Sequence, residues 1–312
     1  DNIELEGFPA LTNVNLKGNM IRQLSSDSFL NSRMIENLDL SQNSINLIHS
    51  NTFNKLKHLK KLNLSFNMIP KIDRDTFKEN ELLTKLDLSR NYISRFNRIS
   101  APYLTLLNMT WCEIMTIDPD ALTGFQELTT LDLSNNLITD LPDTLAADQL
   151  SILDLSMNRM TTIRNTTFAS FPEITKINLS GNRFTTPFRV EFFEGNPFLS
   201  DVSLGDNPWL CNCNDMLAFY TFITEAPMKV WEKQSLRCQS PENAAGKTWE
   251  SFCFFTWYPQ STMGTTEKVW TFFMVSVIGE ELNSIILMKL FNFNLFCSIF
   301  RLYVLDYVNK KS

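Results

Sequence analysis

Histidine is nearly missing from this sequence: His49 and His58 are the only two in 312 residues. Ser-His-Asp and Cys-His chemistry both need a placed imidazole, so this scarcity argues against either. Glycine is scarce too, at nine residues. The run Ala244-Ala245-Gly246-Lys247-Thr248 ends like a phosphate loop, but the place of that motif's first glycine holds Pro241, and the assignment fails. Positive charge is in deficit, with 28 Lys and Arg against 34 Asp and Glu, a net charge of −6 and a pI near 5.1. That balance argues against a nucleic-acid partner. There is no low-complexity tract. No initiating methionine or signal peptide precedes Asp1, so the chain reads as a fragment or a trimmed form.

What is present is a repeat. Leu83 to Ile93 reads LTKLDLSRNYI, and the frame L-x-x-L-x-L-x-x-N-x-I recurs from residues 11, 35, 59, 83, 104, 128, 150, 174 and 199. Leu86 and Leu88 lie two apart and share one face of a strand. A single short strand cannot bury that face, whereas a stack of them about 4.8 Å apart builds one continuous core. An asparagine column follows the strands: Asn19, Asn43, Asn67, Asn91, Asn136, Asn158, Asn182 and Asn207, with Cys112 in the fifth repeat. An inward carboxamide donates and accepts, so it satisfies backbone groups left unpaired where the chain turns. Phe29, Phe53, Phe77, Phe168 and Phe192 each stand eighteen residues after their repeat's first position. Leu122, Ala101 and Ala146 are assigned to that column in other repeats, which makes it the spine of the return side.

This period and pattern resemble the leucine-rich repeat family. The fold implied is an α/β repeat solenoid: a curved arc with a parallel concave sheet and an irregular convex side. Asn207-Pro-Trp-Leu-Cys-Asn-Cys213, followed by Cys238, Pro241 and Cys253, resembles the C-terminal cysteine cap of extracellular members. The resemblance implies Cys211–Cys238 and Cys213–Cys253 disulfides. Spacing alone leaves three pairings open, and a zinc site is the rival reading; the closest pair lacks C-x₂-C spacing and no His is near. Residues 214–224 read as a helix covering the last repeat. Disulfides of this kind belong to an oxidising compartment. Sequons at Asn165, Asn63, Asn108 and Asn178 are compatible with glycosylation there, Asn165 first because the repeat template does not write it.

The domain reading is then the end of a preceding repeat at 1–10, nine repeats at 11–207, the cap at 208–253, a juxtamembrane linker at 254–268 and a hydrophobic tail at 269–312. The tail is a candidate transmembrane segment. Its apolar run Val269 to Gly279 has eleven residues, and 285–305 contains Lys289, Asn292, Asn294 and Arg301. A span needs about 20 mostly apolar residues, and a central Lys costs roughly 3 kcal/mol against roughly −0.5 for each Leu or Ile, so the sum is close to neutral.

No catalytic residues and no cofactor are assigned. Asp39, Asp87, Asp132 and Asp154 form a column with Asn15, Asn63, Asn108 and Asn178; a calcium ladder is one reading, but D-L-S is a common form of the family repeat and no metal is assigned. The candidate ligand-binding residues are Phe66, Arg90, Trp111, Asn135 and Met157, at one repeat position in consecutive turns, with Leu106 and Ile152 adding apolar area on the concave face. Lys55, Lys57, Lys60, Lys61 and Lys85 beside Arg90 form a second candidate, for an acidic ligand or sulfated glycan. The function implied is a non-catalytic cell-surface receptor or adhesion protein of the Slit, Nogo-receptor or Toll-type ectodomain kind, gripping a protein on its concave face and anchored by a single membrane pass. The alternatives are a secreted matrix or carrier protein and a fragment of a Toll-like pattern-recognition ectodomain.

Overall fold

A computed structural model describes residues 10–164, 166–189, 191–225, 229–231 and 236–257. The expected end of a preceding repeat, the sequon Asn165 and the hydrophobic tail fall outside the described residues. Among those described, no helix is long and apolar enough to cross a membrane.

Each repeat contributes one three-residue strand, from Asn13–Asn15 in the first to Asp201–Ser203 in the ninth, and all run parallel in one sheet. A tenth strand, Lys229–Trp231, extends the sheet within the cap. Pairing is in register, so like positions stand side by side: Leu38 beside Leu62, Lys61 beside Lys85, Asp132 beside Asp154. A sheet whose strands all point one way needs a crossover after each, and the irregular return half of the repeat supplies it. The middle residue of each of the nine repeat strands is buried while its neighbours are more open, and from the second repeat on the second apolar residue of L-x-L is buried just beyond the strand.

The asparagine column stitches turn to turn. Asn67 Nδ2 donates to Leu40 O of the previous repeat at 3.0 Å and to Leu64 O of its own at 2.9 Å, while its Oδ1 accepts the Ile45 N–H at 2.9 Å. Asn43, Asn91, Asn136, Asn158, Asn182 and Asn207 repeat the scheme and are buried. Each such bond contributes about 0.5–1.5 kcal/mol net, and losing one leaves a buried backbone group unpaired. Asn19 is exposed, and among the described residues its amide donates to Lys17 O in its own turn.

The aromatic spine is real but counted from the wrong end. Phe29, Phe53 and Phe77 stack at 6.0 and 5.6 Å between centroids. Phe168 stacks on Phe193, at 6.1 Å, and not on Phe192. In six repeats the spine residue stands six before the next repeat's first position, which in the longer eighth repeat is Phe193; the shortened fourth and sixth repeats do not keep that distance. In the shortened sixth repeat Ala146 is exposed, and Leu145 and Ala147 are buried in its place. Two further convex asparagines tie turns together without belonging to the motif. Asn80 donates to Phe53 O and Leu56 O, and Asn196 to Phe168 O and Phe171 O. Gly124 allows the tightest approach: a Cβ there would lie 1.9 Å from Ile99 O.

Cys211 is bonded to Cys238 and Cys213 to Cys253. Between them runs the helix Cys213–Glu225, which buries Met216, Phe219 and Ile223. Phe219 meets Phe188 edge-on at 6.0 Å, and Trp209 meets Trp249 of the second cap helix, Trp249–Trp257, at 5.2 Å. The last repeat's apolar end is thereby covered, which a solenoid requires.

Candidate functional site

The residue just before each ladder asparagine lies in the left-handed region. There the chain must leave the strand and swing the carboxamide inward. Its N–H still bonds to the next turn, as Phe66 N does to Ser89 O at 2.9 Å and Arg90 N to Thr110 O at 2.8 Å. Glycine, Asn and Asp tolerate this conformation best, and Gly18, Asn135, Gly181 and Asp206 occupy it in four turns. Gln42, Phe66, Arg90, Trp111 and Met157 occupy it in the other five, at φ of 54–57°, where a side chain costs about 1–2 kcal/mol.

The same turn throws these side chains outward. Phe66, Trp111 and Met157 are 48%, 51% and 49% exposed. Phe66, Arg90 and Trp111 come together: the guanidinium carbon of Arg90 lies 4.9 Å from the Phe66 centroid and 5.0 Å from that of Trp111. Among the described residues, no carboxylate or hydrogen-bond acceptor meets that guanidinium. Asn135 is half-buried and turns to Ser134 Oγ at 3.2 Å, and Met157 lies over Gly181, whose added Cβ would meet its sulfur at 2.4 Å.

The row stands three residues beyond the strand ends at Asn63, Asp87 and Asn108. The concave trough beside it, about 450 Å³, is lined instead by strand residues including Asn13, Asn37, Lys61, Lys85 and Leu106. The expected single concave patch is therefore two adjoining surfaces, a trough and a rim. Leu106 belongs to the trough, next to Thr130 and then Ile152 in register. Three exposed apolar residues were not singled out: Met68 and Tyr92, each directly after a ladder asparagine, and Met115. At the place of Met68 and Tyr92 the other repeats hold Met20, Ser44, Glu113, Leu137, Arg159, Arg183 and Pro208, so the motif does not mark them; Met115 stands where other repeats put mostly polar residues.

The lysine cluster divides. Lys57 pairs with Glu79 at 2.7 Å and Lys60 with Glu36 at 2.9 Å, which leaves Lys61 and Lys85 facing the trough and Lys55 exposed. The Asp and Asn column closes short turns: Asp87 Oδ1 accepts the Ser89 N–H at 2.9 Å, and Asn63, Asn108, Asp132, Asp154 and Asn178 do the same two residues on. Burial, with Asp154 and Asp87 close by, holds the Asp132 carboxyl above its usual range. The sequons Asn63, Asn108 and Asn178 sit in this half-buried column.

The leucine-rich repeat family matches residues 9–69, 57–114 and 126–184, more than half of the sequence. The chain belongs to that family. No curated protein matches it in sequence. Among solved structures it is similar to TLR13 in complex with ssRNA13, at 27% identity and a TM-score of 0.60, over 65% of this chain and 29% of that one. It is similar in fold to Drosophila Toll in complex with Spatzle, at 24% identity and 0.59, over 68% and 29%, and to human 5T4 (trophoblast glycoprotein), at 23% and 0.63, over 76% and 91%. The leucine-rich repeat chain thus spans 29% of the length of TLR13 and of Toll. The TLR13 complex holds RNA, so the expectation of no nucleic-acid partner does not follow from this fold.

Proposed function

We propose that this chain is a non-catalytic recognition module of the cell exterior, which binds a protein through the trough and the rim beside it. The observation that carries the reading is the exposed Phe66–Arg90–Trp111 stack on three successive turns. Aromatic and Arg residues dominate binding hot spots. Two cap disulfides, bonds that persist in oxidising compartments, support an extracellular setting. The Toll structure contains the protein Spatzle, which supports a protein as ligand. A receptor or adhesion role, with attachment through residues 269–312, completes the proposal. Carbonate extraction tests the attachment: release of the expressed chain into the soluble fraction replaces it with a secreted matrix or carrier protein. A panel of extracellular domains tests the site. Trp111→Ala should weaken any partner found by about 2 kcal/mol or more with the fold intact, and an unchanged affinity moves the site elsewhere.

A further inference from the structure

We infer that the Phe66–Arg90–Trp111 stack receives a carboxylate, an Asp or Glu that a protein partner carries within apolar surface. The inference rests on the protein-binding reading above and narrows it. Two rings cover the faces of the Arg90 guanidinium and leave its edges open. Those edges carry five N–H donors in a fork that matches a carboxylate with two parallel bonds. Lys57 is paired with Glu79, Lys60 with Glu36 and Arg95 with Asp118, whereas Arg90, like Lys61 and Lys85, has no such partner among the described residues. Stacking also fixes the side chain before any ligand arrives, which lowers the entropy lost on binding.

The surroundings select the kind of partner. Met68, Tyr92 and Met115 are each about half exposed on the same turns as Phe66, Arg90 and Trp111. An apolar margin excludes water from a central ion pair once a partner docks, and the pair strengthens as the dielectric falls. Lys61 and Lys85, side by side in the adjoining trough, add positive potential that steers an acidic surface. A sulfated glycan or a single-stranded nucleic acid needs a line of cations tracking its charges. Arg90 with Lys61 and Lys85 makes a short cluster and no such line, and Glu113 stands exposed on the same turn as Trp111, a mixed surface that favours a protein.

The test is a library of random peptides displayed on yeast and sorted against the full chain. Enriched peptides should carry Asp or Glu beside apolar residues. Arg90→Gln should lower the affinity of an enriched peptide at least tenfold, and Arg90→Lys should not restore it, since an ammonium neither stacks nor forks. Changing the peptide's carboxylate to its amide should give a similar loss that does not add to that of Arg90→Gln. Circular dichroism checks that the exposed substitutions leave the fold intact. Enrichment without carboxylates, or no enrichment, overturns the inference. So does Arg90-dependent binding of heparin or an oligonucleotide in place of acidic peptides. If Trp111→Ala abolishes capture and Arg90→Gln does not, the docking surface stands and the carboxylate is wrong; if neither variant matters, both readings fall.

Discussion

Cys112 replaces a ladder asparagine with a group that donates and accepts poorly. Its Sγ–H reaches Leu88 O at 3.1 Å, matching the bond that Asn91 Nδ2 gives Leu64 O at 3.0 Å. It has no carbonyl to receive the Ile93 N–H as Asn91 Oδ1 receives that of Ile69, at 3.0 Å. Cys112→Asn should therefore stabilise the chain by about 1 kcal/mol, the net worth of one buried hydrogen bond, read as a higher urea midpoint at unchanged slope. Burial pushes the Cys112 thiol up to about 12, so the native protein should leave it unlabelled by a thiol reagent until denaturant is added. Asp132 is a second residue-scale case. Its folded carboxyl titrates above the ordinary value, chiefly through burial, so stability is lost as pH rises through that range and the loss is complete at neutral pH. Asp132→Asn keeps an acceptor for the Ser134 N–H. It should raise the melting temperature at pH 7 and change it little at pH 3, and an equal gain at both pH values would assign the effect to packing.

At the scale of elements, the repeat wrote the strands, the ladder and the cap plainly, because a fixed spacing places each side chain relative to its turn. Phe192 and Ala146 were misplaced for a physical reason: the return half changes length in those repeats, so a count from the repeat's first position slides off the buried side chain. Asn80 and Asn196 were illegible because they recur in only two return segments, where a contact between turns and not a strand period selects them. The candidate row was visible as a column of odd residues. Its left-handed backbone and the closure of two rings on Arg90 were not, since the motif fixes position and leaves rotamers open. The packing yields its own tests. Phe53 is sandwiched between Phe29 and Phe77, so Phe53→Ala should cost about 3–5 kcal/mol by chemical denaturation. Gly124→Ala pushes a Cβ into the Ile99 carbonyl, a clash with backbone that no rotamer relieves, and should cost about 1–3 kcal/mol or more.

At the scale of the whole molecule, a solenoid has ends, and its stability is a sum over neighbouring turns. The C-terminal end is an aromatic face, Phe184, Phe188, Phe193 and Trp209, which the helix Cys213–Glu225 covers and the two disulfides hold in place. The bonds close loops of 27 and 40 residues, so in the chain-entropy model each contributes on the order of 3–4 kcal/mol by restricting the unfolded cap. That stabilisation acts where the loops are, and a one-dimensional array passes its loss only to adjacent turns. Reduction should therefore strip amide-exchange protection from the cap and the eighth and ninth repeats first. The third to sixth repeats, joined by Asn67, Asn91 and Asn136 and bearing the Phe66–Arg90–Trp111 row, should keep theirs and should keep Arg90-dependent binding. Loss of protection in every repeat at one rate would mean that the arc unfolds as a single cooperative body and that the cap stabilises the recognition surface directly.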